Sequence, residues 1–579
     1  MLSPTLLLLL SQVVPPGLGS QPGDLDSAEP IGDAKQRCAS CHDRSILQPE
    51  DPQMYMPFDG WVSSMMANSV RDPLFQAALS VANQDVPGLG SWCLRCHAPQ
   101  AYVRGHTEPP DGGAFDDIDT QGVTCDVCHR SVRPDDGGSA VIGNAQIYFE
   151  PGNVKYGPYS TISSPAHGGS DGGVVSTSEV CGHCHQVSNP LVAWLNPEDG
   201  GVLGPQFPLD TTYDEWKQSQ YSSGSTAKSC QDCHMPRIES TDGGSNEFYI
   251  AKFGELRPTP RRHVFAGANL WGLEAVQRND PANTAPYADQ FAETKRLTEE
   301  LLESAAELTV TTPSATSPGA TVLVRVRVKN NSGHKLPTGY ADGRRMVVQM
   351  TLNGRVHTGG FDGGELLDDA WLKVYEAQHG KLGVGVEEHL ARHDIIVKDT
   401  RLPPSGFRPP PGAATRPVPG ALYDNGDGTF ADHDEFVWDV EVPTTMQDGQ
   451  TFDVVVRLLF QATTPHYVGF LLNENRTTDA GRNLFDIWKA TSEAAPFEMA
   501  RVERKIPVRV VVPDAGSGGG AGGGAGGGSV STGGGGAGGG TGRIDGQCGC
   551  SSGAGVLLLA VAAVLLRRKR GPASFPRQR

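Results

Sequence analysis

The feature that most constrains this chain is a Cys-x-x-Cys-His pattern that occurs five times between Cys38 and His234. The pattern is the attachment signature of c-type haem, in which two thiols add to the porphyrin vinyl groups and the following His binds the iron. Zinc ribbons also contain Cys-x-x-Cys pairs, but they use them two at a time and need no His directly after each pair. Five copies therefore favour covalent haem over a zinc or disulfide framework.

The predicted haem-binding thiols are Cys38, Cys41, Cys93, Cys96, Cys125, Cys128, Cys181, Cys184, Cys230 and Cys233. The predicted proximal iron ligands are His42, His97, His129, His185 and His234. The cofactor prediction is thus five covalently bound c-type haems.

Composition agrees with a chain that is organised by its cofactors. Ten of the twelve Cys lie in the motifs, and the other two are Cys548 and Cys550, so the body has none to spare for structural disulfides. The 579 residues include 73 Gly and 43 Pro, which favours loops over a self-sufficient core. The formal net charge of −18 argues against nucleic acid or anionic lipid as a partner, because both attract a basic face.

The N-terminal part of the chain divides into a leader and a haem region. Residues 1–20 contain the apolar run Leu6 to Leu10 and end in small residues, which predicts a secretory signal peptide, although no Lys or Arg precedes the run. Residues 36–305 are expected to be a pentahaem domain of loops and short helices with few regular strands. Asp72 and Pro73 predict a helix start, and apolar spacing predicts a helix over 281–305.

After Glu307 the pattern changes to period two, with Val at 322, 324, 326 and 328. Further strands are predicted at 346–352, 436–442, 452–460 and 508–512, with a Pro-rich insertion at 402–419. Residues 306–513 are therefore predicted to form an antiparallel β-sandwich.

The C-terminal part is predicted to be a tether. Residues 514–547 form a Gly-rich flexible linker. Residues 548–579 contain a short apolar helix over 553–566, followed by the Arg and Lys cluster at 567–570. This run is short for a membrane span, but it predicts a membrane attachment with the cluster on the cytoplasmic side.

A low-spin electron carrier needs a second strong ligand on each iron. The predicted distal ligands are His167 before the fourth motif, His263 after the last motif, and His334 in a turn between strands. His106, His183 and the pair Met65 and Met66 are weaker alternatives, since such residues more often fill other roles. His389 and His393 are four apart and share a face if the segment is helical, but two ligands alone are a poor metal site.

Several segments beside the motifs resemble the cytochrome c554-like (cytochrome c-552/c554 domain) multihaem cytochromes. The resemblance covers residues 36–505 and implies electron transfer without specifying a substrate. The residues that carry it are Trp61, Ser64 to Met66 and Arg71 to Pro73; Tyr213 to Trp216; Cys233 to Pro236; Asn331 to Gly339 with Arg344 and Arg345; and Lys398 to Phe407. The Cys, apolar run and Arg cluster at the C-terminus resemble a myxobacterial sorting signal, which implies delivery to the cell surface.

Three classes of function remain open. The favoured one is an extracytoplasmic pentahaem cytochrome, exported to the periplasm or outer surface and tethered to a membrane. It relays electrons between redox partner proteins or quinol-linked donors. The alternative is a multihaem oxidoreductase that acts on a small nitrogen or sulfur compound at one open haem, so enzymatic activity is uncertain; the absence of a Cys-x-x-Cys-Lys variant lowers this alternative. A surface adhesion or scaffold module is the third, since a sandwich has no function by itself. The sequence does not predict the oligomeric state.

Overall fold

The computed structural model describes residues 32–44, 56–134, 141–160, 162, 164–239, 246–340 and 342–510. These residues belong to one compact unit, which spans residues 1–512. The predicted signal peptide, linker and C-terminal segment lie outside the described residues. Among the described residues, no helix combines the length and the apolar character needed to cross a bilayer.

Most helices of the haem region are short, as the Gly- and Pro-rich sequence predicts. They are α1 (Ala39–His42), α2 (Pro57–Val62), α3 (Pro73–Asp85), α4 (Gly90–His97), α5 (Pro99–Val103), α6 (Cys125–His129), α7 (Glu179–Gly182), α8 (Thr212–Lys217), α9 (Cys230–His234), α10 (Leu270–Asn279), α11 (Pro281–Thr284) and α12 (Ala288–Ser304). A π-helical turn, Ala34–Cys38, precedes α1.

Two helix predictions are tested by these bounds. Helix α3 begins as expected: the Asp72 side chain accepts a hydrogen bond from the Leu74 amide, and Pro73 occupies the first turn. The helix expected over 281–305 is instead interrupted, because a 3₁₀ turn at Ala285–Tyr287 separates α11 from α12. Pro286 lies in that turn, where it has no amide to continue the α-helical ladder.

The strands before residue 306 are two to four residues long and form isolated pairs. They are β1 (Ser131–Val132), β2 (Tyr148–Phe149), β3 (Val154–Gly157), β4 (Gly168–Asp171), β5 (Val187–Asn189), β6 (Trp194–Leu195), β7 (Val202–Gly204), β8 (Phe207–Asp210), β9 (Glu247–Tyr249) and β10 (Leu256–Pro258). The haem region therefore contains only local strand pairs in its described residues, and no extended sheet.

Two larger antiparallel sheets follow. Their strands are β11 (Ala306–Thr311), β12 (Thr321–Asn330), β13 (Arg345–Leu352), β14 (Arg355–Thr358), β17 (Lys373–Lys381), β18 (Gly385–Val386), β19 (Ile395–Asp399), β20 (His433–Glu441), β21 (Thr451–Gln461) and β22 (Phe497–Pro507), with a separate hairpin of β15 (Phe361–Asp362) and β16 (Glu365–Leu366). One sheet has the order β11-β12-β20, and the other has β18-β17-β13-β21-β22 with β14 and β19 at its sides.

In β12 the alternating Val side chains point into the core, and the residues between them face outward. Val322, Val324, Val326 and Val328 are all buried, and they share one hydrophobic core with residues of the other sheet such as Met346 and Val454. A two-residue period produces this pattern because successive strand side chains point to opposite faces. The sandwich arrangement of the two sheets remains a prediction.

The end of this region differs from the sequence prediction. The last strand among the described residues is β22 at Phe497–Pro507, and Val508 makes an isolated bridge to Thr316. Residues 511 and 512 of the strand predicted at 508–512 lie outside the described residues. Two unpredicted helices, α13 (Pro465–Glu474) and α14 (Ala480–Ala490), lie between β21 and β22. Their apolar side chains form a cluster with Ala77 and Val81 of α3, so this excursion packs on the haem region.

Candidate haem sites

Helical turns position the thiols and imidazole of the motifs. The whole of the third and fifth motifs is helical, in α6 and α9. Residues three and four apart lie on one face of a helix, so the two Cys and the following His point the same way. In the fifth motif, a capping box between Ser229 and Asp232 fixes the start of the helix at Cys230. Each such turn presents two thiols and a nitrogen ligand to one haem face.

Three of the motif histidines face a second histidine across a similar gap. The ring centres of His42 and His167 are 6.5 Å apart, with 18° between the ring planes. The other two pairs are His129 with His263, at 6.1 Å and 23°, and His234 with His334, at 6.2 Å and 13°. With metal–imidazole bonds of about 2.0–2.1 Å, a metal ion held between two rings sets their centres roughly 6 Å apart. The three spacings therefore fit an iron between each pair.

Hydrogen bonds orient all six of these rings. In each, Nδ1 lies within hydrogen-bonding distance of a backbone carbonyl oxygen, which leaves Nε2 for a metal. The carbonyl partners of the motif histidines are Ile250 for His42 at 2.6 Å, Tyr156 for His129 at 2.7 Å and Ala266 for His234 at 2.5 Å. Those of the opposite histidines are Gly168 for His167 at 2.9 Å, Arg261 for His263 at 3.2 Å and Lys335 for His334 at 2.9 Å.

Burial keeps most of these imidazoles neutral, which is the form that binds iron. Burial lowers the pKa of His234 to about 4 and that of His263 to about 3. Burial also lowers the pKa values of His42, His129 and His334. A stacked pair of imidazoles without a metal would have similar ring spacing, but the shared orientation of Nδ1 toward carbonyls is the pattern of metal-bound histidine.

The second and fourth motifs have a different environment. His97 is half-buried, its Nδ1 lies 3.3 Å from the Ser69 carbonyl oxygen, and burial lowers its pKa to about 4. The Phe75 ring stacks on it at 3.7 Å and 6°. His185 is exposed. Within the described part of the chain, neither ring has a second histidine stacked at the spacing of the other three pairs.

The weaker ligand candidates divide into two groups. His183 is 1% exposed, its Nδ1 lies 2.8 Å from the Val141 carbonyl oxygen, and its Nε2 is buried without a hydrogen-bond partner. It therefore has the orientation of a ligand. His106 is paired with Asp119 at 2.7 Å, and Met65 packs against Leu273, Val276 and Phe291 as core filling.

The five motifs form one connected group. The Cys38 and Cys125 side chains of motifs one and three are close neighbours, as are Cys96 and Cys184 of motifs two and four, and Cys181 and Cys230 of motifs four and five. The neighbouring Cys38 thiol, together with burial, raises the pKa of Cys125 well above its usual range. Cys128 of motif three also interacts electrostatically with Cys181 and Cys184. If the thiols attach porphyrins as predicted, this arrangement would bring neighbouring haem edges close together.

A buried ionic cluster holds the turn that carries His334. Lys335, the next residue, pairs through Nζ with Asp399 Oδ2 at 2.5 Å, and Arg401 pairs with Asp399 at 2.8 Å and with Glu215 at 3.1 Å. Glu215 Oε2 accepts hydrogen bonds from the Lys335 amide at 3.1 Å and from the Thr338 hydroxyl at 2.7 Å. All four charged side chains are buried. The cluster thus connects α8 of the haem region to the strand region at the turn that carries the predicted ligand His334.

Sequence reasoning missed this cluster, although its members lie in segments that the sequence had already singled out. Glu215 is in the Tyr213 to Trp216 segment, Lys335 is in the Asn331 to Gly339 segment, and Asp399 and Arg401 are in the Lys398 to Phe407 segment. The available signal was a charged residue in each segment, acidic in the first, basic in the second and of both signs in the third. Their meeting depends on tertiary packing, because Glu215 and Lys335 are 120 residues apart in the chain.

No protein-family model and no curated protein matches the sequence. Among solved structures, the chain is similar to a penta-haem cytochrome c552 from Thermochromatium tepidum, at 17% identity and a TM-score of 0.43, with 81% of this chain and 97% of that chain covered. It is also similar to Spo0M, a sporulation control protein from Bacillus subtilis, at 10% identity and a TM-score of 0.13, with 36% and 50% covered. At these TM-scores neither likeness establishes a common fold.

Proposed function

We propose that the chain is an extracytoplasmic pentahaem c-type cytochrome that relays electrons between redox partners. The observation that carries the proposal is the presence of five motifs in one connected group, three of them with a second histidine at iron-bridging distance. Haem iron supplies a reversible one-electron couple whose potential depends on its axial ligands and surroundings. The chain supplies attachment, orientation and exclusion of water.

Each residue class has its own role in this proposal. The ten motif thiols hold the porphyrins covalently, and the motif histidines bind the irons from one side. His167, His263 and His334 close the other side of the first, third and fifth irons. Two strong axial ligands leave no position for a substrate, which suits an electron carrier. Motif four lies beside motifs two and five and near motif three, which in turn lies beside motif one, so electrons entering at any motif would have a continuous route.

A second candidate is an oxidoreductase that acts on a small nitrogen or sulfur compound at one open haem. The specific observation in its favour is the environment of His97 and His185, which have no second histidine stacked opposite within the described residues. An open iron with acid or base groups nearby is what such chemistry needs. The proposed location of the protein, exported and attached to a membrane by its C-terminal segment, is the same under both candidates.

Two measurements separate the candidates. In flash photoreduction, a relay predicts that electrons redistribute between haems in a first-order process whose rate does not depend on protein concentration. Redistribution that is wholly second-order in protein would contradict the relay. In parallel, the reduced protein is exposed to carbon monoxide. Spectra that do not change favour the carrier, whereas a haem that binds carbon monoxide and whose oxidised form binds nitrite or sulfite favours the enzyme.

A further inference from the structure

A buried group of two histidines and one aspartate lies in the strand region, away from the five motifs. Asp342 precedes β13, His379 is in β17, and His393 precedes β19. One ligand atom from each of the three lies within 4.8 Å of the others. His379 and His393 are 4% and 0% exposed. Sequence reasoning considered His393 only as a partner of His389 on a helical face. The segment between them is instead a 3₁₀ turn, Leu390–Arg392, and His389 pairs with Asp85 at 2.7 Å.

Asp342 and His379 already make close contact. Asp342 Oδ2 lies 3.0 Å from His379 Nδ1, and Asp342 Oδ1 accepts a hydrogen bond from the His379 amide at 3.1 Å. The register of β17 against β19 shifts between Gln378 and His379. Such a bulge re-aims the following side chain, and here it accompanies the approach of His379 to the loop that carries Asp342.

His393 supplies the independent observation that points to a ligand. Its Nε2 lies 2.5 Å from the Glu387 carbonyl oxygen, so that nitrogen carries the proton and donates it. The lone pair is then on Nδ1, which is buried and has no hydrogen-bond partner. A buried acceptor without a donor is costly, and a bound ion or water is the usual explanation. Metal-bound histidines characteristically donate their other ring N–H to a backbone carbonyl, as His393 does.

We propose that Asp342, His379 and His393 bind one zinc ion. Two imidazole nitrogens and one carboxylate are a zinc donor set, whereas calcium and magnesium prefer oxygen ligands. Ligands at about 2.1 Å in a tetrahedron are roughly 3.4 Å apart. The distance of 3.0 Å between Asp342 Oδ2 and His379 Nδ1 is close to that value. No pair of ligand atoms in the group is more than 4.8 Å apart, so binding a zinc ion would require any of these distances to shorten by at most about 1.4 Å.

The surroundings fit a small closed site. Phe207, which is fully buried, presents its ring edge-on to both His379 and His393, at ring-centre distances of 5.0 and 5.8 Å. This ring limits access of water, and one water completes a four-coordinate ion. The metal ties the segment after the His334 turn to β17 and β19. A second group, His106 with Asp116 and Asp119, is a weaker candidate because Arg104 pairs with both carboxylates.

The test uses the full-length haem-loaded protein, so that zinc and iron are distinguished by element. After incubation with zinc chloride and gel filtration, we expect about one zinc per chain by elemental analysis. Zinc-edge X-ray absorption should show only nitrogen and oxygen ligands near ~2.0–2.1 Å, including imidazole. His379→Gln and Asp342→Asn should lower zinc affinity by at least about tenfold.

The matched control is His433→Gln. His433 makes the same kind of pair with Asp432, also at 3.0 Å, but within the part of the chain that the structure describes it belongs to no group of three candidate ligands. It should retain zinc. Wild-type protein without tightly held zinc, equal loss of zinc in the control, or a sulfur shell near ~2.3 Å from Cys548 and Cys550 would overturn the proposal. If both site variants fail to fold, the wild-type absorption spectrum and stoichiometry decide the question.

Discussion

Replacing Glu215 with Gln removes one negative charge from the buried cluster beside His334. In the native protein, Lys335 and Arg401 are balanced by Asp399 and Glu215. The substitution keeps the size of the side chain but leaves one positive charge in excess. Gln also has a single acceptor oxygen. Either the Lys335 amide and Thr338 hydroxyl or the Arg401 guanidinium would then face an amide NH₂ that cannot accept.

The expected cost follows from burial. Lys335 and Glu215 are both 0% exposed, and removing one partner of a buried pair typically costs about 3–5 kcal/mol. The control is Glu300→Gln, whose pair with Arg296 has side chains that are 58% and 50% exposed. A pair of this kind on a helix surface contributes about 0.3–0.5 kcal/mol. The two Glu-to-Gln changes should therefore differ in unfolding free energy by at least about 2 kcal/mol.

The assay has two readouts. Guanidinium unfolding followed by circular dichroism measures stability, and electron paramagnetic resonance of the oxidised protein detects high-spin iron. We expect Glu215→Gln to lower stability and to convert a fraction of one haem to high spin, because the His334 turn loses its support. If Glu215→Gln costs no more than Glu300→Gln, the reasoning about the cluster is wrong. Lower stability without any high-spin iron would show that the cluster supports the fold and not the ligand.

Three further predictions concern the haems and the tail. Pyridine haemochrome analysis of the protein after acid–acetone extraction should give about five haems per chain. Loss of haem into the acid–acetone extract, or stoichiometric zinc bound at the motifs instead of haem, would contradict the covalent assignment. His334→Ala should convert one iron to high spin, whereas His433→Gln should leave every iron unchanged; identical spectra for the two variants would make His334 structural. Truncation after Asp514 should leave the haem spectra unchanged and release the protein from the envelope, and a truncated protein that stays there would exclude the tail as the anchor.

Local features of the fold were predictable because neighbouring residues determine them. The N-cap at Asp72 and the alternation in β12 depend on a few adjacent side chains, and both predictions are confirmed. The interruption at Ala285–Tyr287 was missed because the prediction rested on the apolar spacing from Tyr287 onward and did not take account of Pro286. Helices α13 and α14 were missed because the sequence pattern attributed the region after β21 to strands.

In the candidate sites, too, the features that depend on neighbouring residues could be predicted, and those that depend on distant residues could not. Cys-x-x-Cys-His spacing is local, so the thiols and proximal histidines could be proposed from sequence. His167, His263 and His334 could be proposed as ligands from the residues around them in the sequence. The motif that each one faces could not be predicted, because the pairs form between distant parts of the chain: His334 lies opposite His234, 100 residues earlier. The meeting of Asp342 with His379 and His393 is likewise set by strand pairing and loop packing.

At least three irons should each be held between two histidines. Near-infrared magnetic circular dichroism of the fully oxidised protein is the direct test, because the energy of the low-spin charge-transfer band distinguishes two-histidine from histidine–methionine ligation. We expect two-histidine intensity equal to three or more irons per chain, calibrated against the measured haem content. Intensity equal to fewer than three irons, or a spectrum dominated by histidine–methionine or high-spin bands, would contradict it.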